Sequence, residues 1–208
     1  MTTTYIALIG DVTASRLLPE RRRARLQAEL RRAMPDWNRR WRRFLAARFA
    51  LTLGDEFQCL LRTAEPVWDI AHGVRDRFPD VAWVIACGRG PIATRLEPGL
   101  TAPEVDGPCF HAARTAMEAA KRTRRLFAFG GFPPTVAAFA DYYSALYWSW
   151  TPRQRRTATL LRRAEAARGV ASALHVHPSA VSHLKRRMAW PLVEAGDKMF
   201  RAALLEGT

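Results

Sequence analysis

The sequence predicts an α+β protein, with a sheet and its helices in residues 1–130 followed by a small all-α domain in residues 131–208. Three observations point there. Short apolar runs near residues 5–10, 49–61, 81–87 and 126–129 alternate with longer stretches whose apolar residues recur every three or four positions; these are the periods of strand and amphipathic helix. The run Gly130-Gly131-Phe132-Pro133-Pro134 interrupts both patterns. Beyond it the apolar spacing is helical throughout.

At 208 residues and 49% apolar content the chain can bury a sizeable core, as one large domain or a medium one plus a small one. Its 33 Lys and Arg against 19 Asp and Glu leave a net charge of +14, which favours a polyanionic partner such as nucleic acid, with an acidic membrane surface as the rival. No apolar run approaches the roughly 20 residues that span a bilayer, and the N-terminus lacks the basic-then-apolar order of a signal peptide before Asp11 interrupts it. A cytoplasmic location is therefore expected. Cys59, Cys87 and Cys109 are odd in number and widely spaced, which suggests neither a disulfide framework nor a zinc cluster; they read as small buried hydrophobes.

Taken in order, residues 5–10 (YIALIG) form a first strand with Asp11 directly after it, and Val12 to Pro19 form a connection. From Glu20 to Arg48 the residues Leu26, Leu30, Met34, Trp37, Trp41, Phe44 and Leu45 keep helical spacing, with Pro35 expected to divide the helix in two. The other face of this stretch is arginine: residues 21–48 hold eleven arginines against Glu29 and Asp36. The plain reading is a solvated face whose arginine stems cover apolar surface; the sharper one is a phosphate-binding face.

Phe49, Leu51 and Leu53, then Phe57, Cys59 and Leu61, alternate on either side of Gly54-Asp55, the pattern of a hairpin with a glycine in its turn. Alone, Asp55 reads as a turn residue. With Asp11 in a similar setting, the two acids are expected to share one end of the sheet. Pro66 then opens a helix ending near Phe78-Pro79, Val81–Cys87 is a buried strand, and Gly88–Gly107 is a long loop with room for a short strand around Ile92. A helix over Cys109–Lys121 and a strand over Leu126–Phe129 complete the order strand, helix, strand, strand, helix, strand, helix, strand.

After the glycine-proline break, Val136, Phe139, Tyr143, Leu146, Tyr147 and Trp150 make an aromatic stripe at helical spacing, a packing seam within the chain or between two copies. Thr151-Pro152-Arg153-Gln154 carries the signature of a capping box with proline in the first turn. Gly169 to Met188 has helix-turn-helix spacing: small Ala171 lets two helices approach, Leu174 and Val176 bracket a turn, and Val181 and Leu184 anchor the second helix. His175 stands where such turns favour glycine. His177, Ser179, Ser182, His183 and Arg186 would face outward, with Lys185, Arg186 and Arg187 on phosphates. A plain helical pair has the same spacing, but residues 151–208 hold eleven basic and four acidic residues, which suits a DNA backbone.

The segments YIALIGDVTASR, FALTLGDEFQCLL, DGPCFHAARTAMEA and WTPRQ together resemble the SatD family over nearly the whole chain. The first 130 residues are also similar to the palm-type core of class III nucleotidyl cyclases and diguanylate cyclases, which implies a ferredoxin-like, palm-type sheet. In those enzymes one metal-binding aspartate follows the first strand, as Asp11 does here, and another acid sits on the central hairpin, as Asp55 does. The resemblance thus implies Mg²⁺ on Asp11 and Asp55, nucleotide contacts from Gly10, Ser15, Arg16, Gly54, Gly107 and Arg114, and Arg114 as the candidate catalytic residue. One position departs: the cyclases place an asparagine four residues before an arginine, and aligning that arginine with Arg114 puts Phe110 at the asparagine.

The leading expectation is a DNA-binding regulator whose first domain senses a nucleotide or other phosphate ligand with a divalent metal, working as a homodimer. The alternative is a Mg²⁺-dependent nucleotidyl cyclase or a nucleotidyl or phosphoryl transferase acting through Asp11 and Asp55. A third reading makes both domains interaction modules.

Overall fold

The computed structural model describes residues 3–52, 54–123, 125–163 and 166–206. Leu53 of the hairpin pattern lies outside them. The central strand β1 (Tyr5–Val12) is longer than its apolar run predicts: backbone pairing continues through Asp11, opposite Val84, so this acid lies inside the strand and not after it. A short 3₁₀ turn, Ser15–Leu17, leads into α1 (Glu20–Arg40). Pro35 does not divide α1. Proline removes one backbone hydrogen bond from a helix, but Met34 and Trp37 on either side of it are buried, and their packing carries the helix through.

The helical spacing misleads beyond Arg40. Residues 41–44 form a turn, and Leu45 opens β2 (Leu45–Leu51) by pairing with Leu61 of β3 (Phe57–Leu61). The hairpin is therefore present, with its first strand starting four residues earlier than the alternation from Phe49 indicates. Two register irregularities in β2 explain this, because a bulge changes which face successive side chains occupy: Leu45 and Phe49 join one apolar layer and Ala47 the other. The free edge of β2 is covered, since Asn38 donates to the Phe49 carbonyl at 3.1 Å and accepts from its N–H at 2.7 Å.

After α2 (Val67–Arg77), β4 (Trp83–Gly90) takes the first three residues of the expected loop. No strand forms at Ile92; the loop instead bridges to the edge through Thr101, which pairs with Arg48. Then come α3 (Pro108–Thr123) and β5 (Phe127–Gly130). The sheet has the order β2-β3-β1-β4-β5, antiparallel except for β4 with β5. Helix α3 packs on one face of it and α1 and α2 on the other. At Gly88 a Cβ would overlap the Cys109 carbonyl and the Ala113 backbone, so α3 lies directly against β4. Gly10 makes the corresponding space on the other face, where the Phe57 ring fills what a Cβ would occupy. Cys59, Cys87 and Cys109 are buried free thiols.

Beyond Gly131 the chain is helical: α4 (Pro134–Ser149), α5 (Pro152–Arg162), α6 (Ala167–Ala173), α7 (Pro178–Arg187) and α8 (Trp190–Leu205). The apolar layer under α1 and α2 continues across the glycine-proline break, taking in Val136, Ala140 and Tyr143 of α4 and Phe200, Ala203 and Leu204 of α8. The aromatic stripe of α4 thus packs within the chain. The capping box at Thr151 forms, with the Gln154 N–H on the Thr151 hydroxyl and the Thr151 N–H on the Gln154 side chain. Arg162 fastens α5 to the rest: it pairs with Asp197 at 2.6 and 3.0 Å among the rings of Trp68, Tyr143, Trp150 and Trp190. Among the described residues no helix is long and apolar enough to cross a membrane.

Candidate functional site

Antiparallel pairing sets Gly10 against Phe57, so one step further along the strands Asp11 faces Glu56. The hairpin turn, with Gly54 at φ 66°, brings Asp55 to the same end of the sheet. Asp11 is on the α3 side, where Lys121 pairs with it. One helical face delivers two cations, because Arg114 and Lys121 are seven residues apart, about two turns. Arg114 forms a two-pronged pair with Glu56 at 2.5 and 2.9 Å. Thr52 and Gln58 also donate to Glu56, at 2.7 and 2.9 Å.

These partners separate the two hairpin acids. Burial would raise the Glu56 carboxyl, but hydrogen bonds from Arg114, Thr52 and Gln58 and the Arg114 charge outweigh it and hold it down to about 2. Asp55 moves the other way. Burial pushes its carboxyl up and the Asp11 charge adds to this, against a hydrogen bond from Ser15, its own N–H and the Lys121 charge. Asp55 is 8% exposed, and its Oδ2 is buried without a hydrogen-bond partner. Among the described residues it is the acid of this cluster with a fully buried oxygen that has no partner.

The sequence-predicted residues divide accordingly. Asp11, Asp55 and Ser15 come together, with Arg114 joined to them through Glu56. Gly10 and Gly54 shape the cluster through the backbone. The side chain of Arg16 lies outside what is described. Gly107 is not part of the group: it is buried against Ile92 at the start of α3, about 20 Å of helix from Lys121. Glu56, Gln58 and Lys121 are members of the cluster that the sequence patterns do not single out. Their signals are the adjacent acids of Asp55-Glu56 and the Arg114-to-Lys121 spacing on one helical face.

For Mg²⁺, Asp55 Oδ2 and the neighbouring Asp11 carboxylate are hard oxygen donors, and one or two carboxylates are what this ion takes from protein when phosphate and water supply the rest. The donor set fits the ion, with the Lys121 ammonium standing on Asp11 where a cation would go. Among the described residues no group of three or more His, Cys, Asp or Glu is arranged to hold a metal.

The second predicted surface is on α7. His175, at the position where glycine is usual, takes φ 52° and turns the chain from α6 into α7. Leu160, Val170, Ala171 and Val181 close a small apolar cluster beneath. His177 caps α7, its Nδ1 accepting from the Ser179 N–H at 3.3 Å. Ser179, Ser182, His183, Arg186 and Arg187 are exposed and Lys185 is half-buried.

The fold and site define an α+β protein with a carboxylate and cation cluster at one end of a five-stranded mixed sheet and a basic helical surface beyond it. The family model described as the SatD family matches residues 5–124, more than half of the chain. The chain belongs to the SatD family. No curated protein matches it. The match covers the segments at the first strand, the hairpin and α3, and stops before α4.

Proposed function

We propose that this protein is a DNA-binding regulator in which a palm-type domain senses a phosphate ligand, a nucleotide with a divalent metal, and a helix-turn-helix formed by α6 and α7 holds DNA. The observation that carries the reading is the outward face of α7: Ser179, Ser182, His183, Arg186 and Arg187 are all exposed on a helix whose opposite side, at Val181, is fully buried. Short polar groups followed by a basic end suit base edges and phosphates respectively. The strand order β2-β3-β1-β4 with α1 and α2 as connections is the arrangement expected of the ferredoxin-like, palm-type sheet.

On the sensing side, Asp55 and Asp11 would hold the metal, which when bound supplies positive charge to phosphate oxygens. Lys121 would leave Asp11 for the ligand phosphate. Two features favour sensing over turnover. Arg114 is engaged by Glu56, and Phe110, at the asparagine position of the cyclases, is packed in the apolar layer under α3. Neither is free to stabilise charge on a transferring group.

The test uses the full chain and fluorescence anisotropy on duplex DNA over a range of salt. Arg186→Gln and Arg187→Gln should each reduce the slope of log K against log[salt] by about one, and His183→Ala should reduce the preference between DNA sequences. Unchanged slopes would remove α7 from the interface and leave the arginine face of α1 as the alternative. Calorimetry with Mg²⁺ and ATP or GTP tests the other site, where Asp55→Asn should weaken binding.

A further inference from the structure

On the side of the sheet away from the carboxylate cluster, α2, α4 and α5 enclose a cavity of about 290 Å³. Its lining is rich in arginine. Arg75, Arg155, Arg156 and Arg162 contribute to it against a single acid, Asp80, which is exposed. Asp197 answers Arg162 from behind. Burial and then the charges of Arg162, Arg75 and Arg201 hold the His72 imidazole, also in the lining, well below its usual range and hence neutral.

Arg75 is the informative residue. It is 9% exposed, and no acid among the described residues forms an ion pair with it. Its Nη2 donates to the Leu126 carbonyl at 2.8 Å and its guanidinium lies over the Phe127 ring, 4.3 Å from the centroid, but Nε and Nη1 are buried without hydrogen-bond partners. A permanent cation in that position is costly unless an anion reaches it. Arg75 contributes to the wall of the cavity, so its charge acts on that space even though Nε and Nη1 are closed to solvent. Arg155 is fixed at its rim by Nε bonds to the Tyr147 and Trp150 carbonyls at 3.1 Å, leaving the far end of its guanidinium free of those bonds, and Arg156 is exposed beside it.

We propose that this cavity binds a small dianion, inorganic phosphate or a phosphomonoester, with Arg75 as the buried counter-charge and Arg155 and Arg156 closing over it. Four arginines line the cavity against one acid, Asp80, and Asp197 is taken by Arg162, so the excess charge at the cavity is positive and suits an anion. The volume suits one small molecule and not a polymer. Because Arg75 is on α2 and Arg155 and Arg156 are on α5, the anion ties the sheet layer to the first helix after the aromatic stripe. The inference is independent of the proposed nucleotide site, with which it shares no residue.

Thermal unfolding of the full chain with increasing inorganic phosphate, or phenyl phosphate, tests it against sodium chloride at matched ionic strength. A saturable rise in Tm is expected, because a ligand that binds only the folded state stabilises it by mass action. Arg75→Met should abolish the saturable part, and Arg156→Ala should weaken it at least tenfold in concentration. A half-saturation for phenyl phosphate well below that for phosphate identifies a phosphomonoester; equal values identify the free ion. Two results would overturn the proposal: no saturable rise with either anion, or the same rise in Arg75→Met as in the parent protein. Arg156→Ala, on an exposed side chain, keeps the test open if Arg75→Met fails to fold, since an unaltered response there would also reject the site.

Discussion

Glu56→Gln removes the charge that holds Arg114 while keeping the size of the side chain and one acceptor oxygen. The Glu56 carboxyl stands at about 2 in the folded protein against its usual 4.5. At about 1.4 kcal/mol per tenfold change this displacement is worth about 3 kcal/mol. The Arg114 side chain is 43% exposed, and solvent screening reduces the figure to about 2 kcal/mol. The sign follows from a folded-state value below the unfolded one: the contribution is complete above about 4.5 and is lost as pH falls toward about 2. Urea denaturation of parent and variant should therefore differ by about 2 kcal/mol at pH 7, corresponding to about 4–8 °C in Tm for a chain of this size. At pH 3 the gap should be about half as large or less. The comparison cancels the other carboxylates, which titrate alike in both proteins. A gap of the same size at pH 3 and pH 7 would mean that packing, and not the ion pair, was lost, and would refute the charge pairing of Arg114 with Glu56 as the source of the stability.

Asp55→Asn should act in the opposite direction. Its folded-state carboxyl is raised above 3.8, chiefly by burial, so the ionised form costs stability as pH rises through that value, and the variant should be at least as stable as the parent at pH 7 while losing any advantage in acid. A clear loss of stability at pH 7 would show Asp55 to be satisfied by partners in the folded protein. Gly88→Ala should destabilise by about 3 kcal/mol or more, because the added methyl meets backbone of α3 and not a movable side chain. Gly196→Ala is the control: nothing lies within 4 Å of its Cβ position, and in mid-helix the change should stabilise by up to about 1 kcal/mol in the same denaturation assay.

Much of this arrangement is legible in period and punctuation. The alternation around Gly54 locates the hairpin and the acid at its tip, and the order of elements through Gly130 follows from apolar spacing alone. The failures have physical causes. Trp41, Phe44 and Leu45 satisfy helical spacing because a turn and the start of a bulged strand turn all three toward the apolar layer under α1, and spacing cannot distinguish this from a helix. Pro35 breaks helices on average, but tertiary packing at Met34 and Trp37 overrides that tendency here. At the site, periodicity can group Asp11 with Asp55, but not choose which acid each cation takes. That choice depends on the strand register that sets Asp11 against Glu56 and on how closely Gly88 lets α3 approach. Arg75 is invisible for the same reason, since its significance lies in an absent counter-charge and not in a motif.

The ends of the α5–α7 segment lie close together. Trp150, just before it, and Trp190, just after it, belong to one apolar cluster with Ala158, Met188 and Val193, and both flank Arg162. The segment is thus an excursion that leaves and rejoins the molecule at nearly one point, between two helices, α4 and α8, rooted in the same core. Such a piece is held at both ends and not strung as a bead, and Arg162 on Asp197 and Arg163 on Asp76 pin its first helix to α8 and α2. It also changes how the segment can be removed. Truncation at Trp150 would strip Phe200, Ala203 and Leu204 from the main core and damage the sheet domain, whereas excising the excursion and joining its neighbouring ends with a few residues would cost little loop-closure entropy and keep those apolar residues, at the cost of leaving Asp197 and Asp76 without their arginines.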